Sequence, residues 1–348
     1  MDIGPRLADR ATDRVTDHGG SLVRAATLFP GAPTPWLDLS TGINPHPYPF
    51  SPPPASVLAR LPEEADMAAL ADRAARYYGA PSAANVIVAP GTQLLLPLVA
   101  SLPAPGSARI LGPTYAEHSR VAALVGHKVE EVDDFGMLPA ARLAVVVNPN
   151  NPDGRLIGRD ELLELAENMR GNGGILLVDE AFMDVGPRAE SVAGDVEIGN
   201  IVVLRSFGKF FGLAGLRLGF ALASEEIAQR LSAWLGPWAV AGPALHAGLE
   251  ALDDRDWQSA MRQELIKTRT RLDSLFAHAG LNIESGTDLF RFLRRPHAAK
   301  LFERLGRNGI LVRRFAGRPD CLRIGLPGED RDFERLRAAL DGWKGGEA

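Results

Sequence analysis

Residues 201–220 read IVVLRSFGKFFGLAGLRLGF. The first four are apolar and mostly β-branched, the pattern of a strand buried on both faces. One lysine, Lys209, then stands among glycines and phenylalanines, with Ser206 before it and Arg217 after it. A lysine head group is strongly hydrated and is almost never buried without a partner. In so apolar a stretch it either snorkels out to water or is kept as an uncharged, nucleophilic amine. The rest of the chain decides between the two.

Working outward, runs of the same kind come before it: VIVA (86–89), RILG (109–112), LAVVV (143–147) and ILLVD (175–179). Between them lie helical patterns: MAALADRAARYYG, closed by Gly79, then PGTQLLLPLVASL, PTYAEHSRVAALVG and ELLELAENM. The last places Leu162, Leu165, Ala166 and Met169 on one helical face. Continuous apolar strands alternating with helices predict an α/β fold, a mostly parallel sheet sandwiched by helices. Past Ala239 the texture changes. A charged helix over roughly 250–278 leads to short strands near LFRFL, ILVR and CLRIG, which predict a smaller α+β domain, antiparallel in its sheet. The first fifty residues, with PGAPTPW and NPHPYPFSPPP, read as an irregular arm. The expected organisation is an arm over 1–50 packing at the active site and the small domain, a large domain over 51–238 and a small one over 239–348.

The chain has 348 residues, 46% hydrophobic and 23% charged, with a formal net charge of −5. That is ordinary for a soluble globular protein and gives no basic footprint for nucleic acid or an anionic membrane. The single cysteine, Cys321, allows no internal disulfide and fits a reducing compartment. The start, MDIGPRLADRATDR, has no signal-peptide pattern, and LLLPLVASLP, the nearest thing to a long apolar run, is interrupted by prolines. A cytoplasmic enzyme without a metal is expected.

In an open parallel sheet, ligands bind beyond the carboxyl ends of the strands. Gly91, Thr92 and Gln93 follow VIVA and open a helix, where free N–H groups and the helix dipole favour an anion, although many such turns carry glycine with no ligand. NPNNPDG (148–154) builds a tight turn and has amides to spare for a ligand. Asp179 ends a buried strand, either as a helix cap or as the counter-ion of a buried cation. Ser206, Lys209 and Arg217 offer a hydroxyl, an amine and a phosphate clamp. One sheet edge with this set suits pyridoxal phosphate: the lysine for a Schiff base with the aldehyde, the aspartate for the protonated ring nitrogen.

NPNNPDG, DEAF and SFGKFFGLAGLRLG, in this order and spacing, resemble the fold-type I, class I/II aminotransferase-like family of pyridoxal-phosphate enzymes. The resemblance implies that Lys209 is the Schiff-base lysine and Asp179 the ring-nitrogen partner. It implies that Tyr115 stacks on the ring and that Asn151 bonds its phenolic oxygen and borders the substrate. Gly91, Thr92, Ser206 and Arg217 would hold the phosphate, with Gln93 beside them as a further cofactor-binding residue, and Arg323 would grip a substrate carboxylate. Arg313 falls where the histidinol-phosphate branch has a substrate-contacting arginine. Phe182 stands where many relatives have a tyrosine that also bonds the phenolic oxygen. The segment DHGGSLVRAATLFPGAPTPWLDLSTGINPHPYP is similar to the threonine-phosphate decarboxylase branch of cobalamin biosynthesis. That implies substrate contacts at His18, Gly19 and Asn44. Tyr48 is the arm residue that the histidinol branch would set at a neighbouring subunit's cofactor phosphate. The implied substrate is a small phosphorylated amino acid, the implied reaction decarboxylation of O-phospho-L-threonine to (R)-1-amino-2-propanol phosphate, and the implied assembly a homodimer with the active site at its interface. Histidinol-phosphate transamination uses the same lysine and ring and stays open. A non-catalytic sensor is disfavoured because the first forty residues show no helix-turn-helix. A nicotinamide dehydrogenase is disfavoured because no G-x-G-x-x-G follows a strand.

Overall fold

The structure, a computed structural model, describes residues 19–343. They form two compact units, one spanning His46–Met261, the other combining the described residues up to Pro45 with those from Arg262 onward. The first strand, β1 (Leu37–Leu39), belongs to the smaller unit. The larger unit contains β2 (Val86–Ala89), β3 (Ser107–Leu111), β4 (Lys128–Val132), β5 (Leu143–Val147), β6 (Ile175–Asp179), β7 (Ile201–Ser206) and β8 (Gly219–Ala223). Their order in the sheet is β2-β8-β7-β6-β5-β3-β4.

All neighbouring pairs are parallel except those of β8, which runs antiparallel to β2 and β7. The chain turns straight back after the lysine segment, so that Ser206 of β7 faces Gly219 of β8. Every residue of β5 and β8 is buried, as central strands covered on both faces require, and so is every residue of the edge strand β2. The helix Thr92–Ala100 lays Leu95, Leu96 and Val99 into a core with Ile87, Val145, Leu177 and Leu204. The sequence expectation had omitted two of these strands. KVEEV of β4 is an edge strand with exposed glutamates, and GFALA of β8 lies at the end of a glycine-rich stretch.

The change of texture after residue 239 is not a unit boundary. The expected long helix is two helices, Gly242–Asp253 and Arg255–His278. Between them Asp254 caps the second through Trp257 N–H at 2.9 Å. The first of the two lies in the larger unit. A Cβ on its Gly248 would meet Leu218 at 2.8 Å and Leu70 at 3.0 Å, so this helix packs hard on the helix Glu64–Tyr78.

The smaller unit contains β1, β9 (Ser285–Thr287), β10 (Phe290–Arg294), β11 (Ile310–Phe315) and β12 (Arg318–Gly325), in the order β1-β11-β12-β10-β9. Its pairs are antiparallel except β1 with β11. The arm is therefore more regular than its prolines suggest. It holds a helix, Leu22–Leu28, capped by Ser21, and supplies a strand to the smaller sheet. Arg335, in the helix Asp330–Leu340, fastens it there by donating to the carbonyls of Pro33, Pro35, Asn308 and Gly309. The arm's last residues belong elsewhere: Tyr48 N–H donates to Phe211 O at 2.9 Å, within the larger unit. Among the described residues no helix is long and apolar enough to cross a membrane.

Candidate active site

In the larger unit, the residues singled out from the sequence lie where β2, β3, β5, β6 and β7 end and β8 begins. Gly91 is the residue before the helix Thr92–Ala100 and has a φ of 86°. A Cβ there would come within 2.7 Å of Arg217 Nη2, so glycine is what lets the guanidinium close on the helix start. Arg217 itself takes a left-handed φ of 55°, and its Nη1 donates to Ala214 O at 3.0 Å. Gly219 is matched to the same place, because a Cβ on it would meet Thr92 N at 2.7 Å. Ser206, Gly91, Thr92 and Arg217 thus share one corner, a cradle of N–H groups and a guanidinium suited to a phosphate.

Asp179 is 7% exposed at the tip of β6. Its Oδ2 lies 2.9 Å from His118 Nε2, and its Oδ1 accepts from Ala181 N–H at 3.1 Å. His118 was missed from sequence. Its signal was its place three residues after Tyr115, one turn on in the same segment. Their rings meet edge to face, with centroids 5.8 Å apart. The Tyr115 hydroxyl donates to Gln93 Oε1 at 3.2 Å. Burial first, then the charges of Glu117 and Asp179, pushes its phenol up to about 12, against an opposing pull from Arg120 and Arg217.

The asparagines of NPNNPDG divide their work. Asn148 is spent on Ile157, giving and taking a hydrogen bond with its backbone, and Asn150 on Thr114, Pro113 and Asp153. Both are fully buried, whereas Asn151 is half-buried. Lys209 is also half-buried, in a short helix, Phe207–Phe210, whose three phenylalanine neighbours Phe207, Phe210 and Phe211 are buried completely. Its Nζ lies 5.6 Å from the centroid of the buried Phe182 ring, so the residue that replaces the usual tyrosine presents a π-face to the amine. Gly208 lets the Ala214 backbone pass close to this helix, since a Cβ on it would lie 2.6 Å from Ala214 Cα.

Beneath this edge runs a buried ion cluster. Arg205 Nη1 donates to Glu180 Oε2 at 2.7 Å and Nη2 to Asp184 Oδ1 at 3.1 Å, over the Tyr78 ring at 4.5 Å. Glu180 follows Asp179 and Arg205 precedes Ser206, so the cluster braces the two strand tips from the opposite face. Among the described residues no group of three metal-ligating side chains occurs.

In the smaller unit, Arg313 of β11 and Arg323 of β12 are register partners. Arg323 is 8% exposed, donates to Ser40 O at 2.8 Å and lies 5.3 Å from the centroid of the Phe290 ring. Gly19 and Arg313 line one cavity of about 40 Å³, together with Ser40, Arg24 and Arg314. Ser40 is oriented by Asp38, and its hydroxyl accepts from Gly20 N–H at 2.7 Å. Asn44 is buried, and His18 lies outside the described residues. Tyr48 has a partner within the chain. It is buried in the larger unit, packs edge-on against Trp257 at 5.0 Å and donates to Asp254 Oδ2 at 3.1 Å.

The family model for aminotransferase class I and II matches residues 58–340. The chain is 44% identical to a threonine-phosphate decarboxylase of Sinorhizobium sp., over 93% of this chain and 97% of that protein. It is 41% identical to a threonine-phosphate decarboxylase of Pseudomonas aeruginosa, over 94% and 98%. Among solved structures it is similar to a histidinol-phosphate aminotransferase from Sinorhizobium meliloti in complex with pyridoxal-5'-phosphate, with a TM-score of 0.77, 23% identity and 98% coverage of both chains.

Proposed function

The chain belongs to the class I and II aminotransferase family, and from that premise we propose that it decarboxylates O-phospho-L-threonine to (R)-1-amino-2-propanol phosphate with pyridoxal phosphate as cofactor, for cobalamin biosynthesis. One observation carries the reaction. The class-wide model begins at residue 58, whereas the likeness to two decarboxylases covers 93–94% of the chain and so must enter the arm. The arm holds Gly19, Ser40 and Asn44, and its Ser40 carbonyl takes a hydrogen bond from Arg323.

The residues present fit the cofactor. A cradle that a Cβ at Gly91 or Gly219 would fill suits its phosphate, with Thr92, Ser206 and Arg217 as donors. The buried Asp179 carboxylate, whose other partners are His118 and a backbone N–H, suits a protonated ring nitrogen. Asn151 would bond the phenolic oxygen and Tyr115 would stack on the ring, with the Phe182 face toward Lys209. Pyridoxal phosphate, when bound, supplies an aldehyde for the substrate amine and a π-system that takes up the electron pair left as carbon dioxide departs. Lys209 Nζ is the amine that would hold the cofactor's aldehyde and, once free, would carry the proton delivered to Cα. Asp179, kept in place by His118, would face the ring nitrogen. By likeness to the family, Arg323 and Arg313 would take the substrate's carboxylate and phosphate, and the groups that hold these decide which Cα bond is aligned for cleavage. The enzyme works as a cytoplasmic homodimer in this proposal.

The test is to incubate the cofactor-loaded protein with O-phospho-L-threonine and follow products by mass spectrometry. Aminopropanol phosphate without a keto acid is expected. No such product, together with glutamate formed from histidinol phosphate and 2-oxoglutarate, would replace the decarboxylase with an aminotransferase. A chain that takes up no pyridoxal phosphate, or a Lys209→Ala variant with undiminished turnover, would remove the cofactor from the account.

A further inference from the structure

Gln93 is expected at the cofactor through the backbone N–H groups of its helix start, which leaves its side chain for other work. Its Oε1 accepts from the Tyr115 hydroxyl at 3.2 Å, and its Nε2 donates to Glu117 Oε2 at 2.7 Å. Glu117 is 5% exposed, and Arg120 grips it with Nη2 on Oε2 at 2.6 Å and Nε on both oxygens at 3.0 Å. The order Arg120–Glu117–Gln93–Tyr115 runs from the half-buried surface of one helix, Glu117–Leu124, across the first turn of the helix Thr92–Ala100 and into the site. A buried carboxylate with this much engagement has one geometry, and an amide bonded at both ends cannot rotate without losing both bonds. Tyr115 has two side-chain torsions. The hydroxyl bond fixes its far end, and the edge contact with His118 limits the tilt of its ring.

We propose that Gln93 and Glu117 are positioning residues that set the plane of the Tyr115 ring, and with it the plane in which the cofactor ring is held. This rests on the cofactor reading above. It gives Gln93 a second duty beside its backbone N–H at the helix start, and it gives the Gln93–Glu117 bond a purpose beyond joining two helices. The consequence is chemical, because the bond broken at Cα is the one perpendicular to the cofactor ring, so a ring free to tilt relaxes that choice. A plain strut between helices would contribute stability alone. The relay must contribute to the asymmetry of the bound chromophore.

The experiment uses the full chain loaded with pyridoxal phosphate and reads its visible circular dichroism, its cofactor dissociation constant and its melting temperature. The variants are Tyr115→Phe, Gln93→Met, Glu117→Ala and the double Gln93→Met/Glu117→Ala. Tyr115→Phe keeps the ring and loses only the tether, so it protects the test against a variant that folds poorly. Tyr115→Phe and Gln93→Met are each expected to change the visible dichroic band and weaken cofactor binding roughly two- to tenfold, the range for one neutral hydrogen bond. Glu117→Ala alone should do the same, and should add nothing once Gln93 is methionine, because Glu117 acts through Gln93. Unchanged dichroism and affinity in Tyr115→Phe and Gln93→Met, with only the melting temperature lowered, would reduce the relay to a strut and overturn the proposal. So would a Glu117→Ala effect that adds in full to that of Gln93→Met. A wild-type chain with no visible band would overturn the cofactor reading itself, and this proposal with it.

Discussion

Arg205→Met should be among the most damaging single changes in the larger unit, although it touches no proposed ligand. Arg205, Glu180 and Asp184 have side chains 4%, 0% and 1% exposed, and the two carboxylates share one guanidinium. Methionine fills the space but leaves both acids buried without a cation. Breaking a buried pair from one side costs about 3–5 kcal/mol, which for a unit of this size lowers the melting temperature by roughly 6–20 °C. The loss must also depend on pH. Burial, the largest influence, already holds the Glu180 carboxyl above its usual range, and Arg205 is the strongest of the influences opposing it. Without Arg205 that carboxyl rises further. An acid whose folded-state value is raised binds its proton more tightly in the folded chain. The stability tied to it is then present below the unfolded value and lost as pH rises through the folded one. The deficit of Arg205→Met should therefore be largest at pH 7–8 and shrink toward pH 5. Thermal unfolding of the cofactor-free wild type and variant, followed by circular dichroism across that range, measures it. Glu180→Gln in the Arg205→Met background should recover part of the loss, with Asp184 accounting for the rest. A deficit under about 1 kcal/mol, or one that is the same at pH 5 and pH 8, would refute the idea that this cluster braces the tips of β6 and β7.

Gly91→Ala combines a left-handed φ of 86° with a Cβ set 2.7 Å from Arg217 Nη2. It should cost about 1–3 kcal/mol and weaken pyridoxal phosphate binding at least about tenfold, read by fluorescence titration. Tyr48→Phe removes one hydrogen bond to Asp254 and should lower stability by about 1 kcal/mol in urea. Burial, then Asp254, pushes the Tyr48 phenol up to about 12, so its contribution is present below pH 10 and lost as pH rises through 12. Phenolate absorbance should show one fewer group titrating near 12 in the variant. Arg335→Ala releases four carbonyls that tie the arm to the smaller unit and should cost about 2 kcal/mol, while Arg335→Lys, a point charge without the planar fork, should recover less than half.

The central strands were legible because a strand buried on both faces leaves a contiguous β-branched run, and LAVVV and IVVL carry that signature in four or five residues. KVEEV carries none, since an edge strand with solvent on its glutamates has no pattern to show. β1 was hidden by its surroundings: its pairing with β11 joins residues more than 270 positions apart, and no local propensity encodes that. The site was legible where a residue's chemistry was odd for its context, as with Lys209 in an apolar stretch or Asp179 at the end of ILLV. It was illegible where the residue type was ordinary and its partner distant. His118 and Glu117 sit in a common helix start, and only the fold shows that one meets Asp179 and the other Gln93. Gln93 is expected at the cofactor through the backbone N–H groups of its helix start, and its position could not show where its side-chain amide goes, to Tyr115 and Glu117.

The larger unit's machinery does not choose the reaction. An anion cradle, a carboxylate for the ring nitrogen and a lysine serve decarboxylation and transamination alike, so the choice belongs to the groups that hold the substrate. Arg323 is where that control is most exposed to test. One of its nitrogens is committed to the Ser40 carbonyl at 2.8 Å, so the same guanidinium that we assign to the substrate carboxylate also anchors the arm strand. A planar fork serves both at once, and an ammonium does not. Arg323→Lys should therefore lower kcat/KM for O-phospho-L-threonine about 100-fold, the loss of one charge-assisted bond on each side, roughly 3 kcal/mol together. It should also raise the fraction of keto product above the wild type's, because a carboxylate held by one point is no longer fixed in the angle that selects its own bond for cleavage. A variant that loses rate but keeps the wild-type product ratio would mean that Arg323 binds without orienting, and would move the choice of bond to Arg313 and the Gly19–Ser40 cavity.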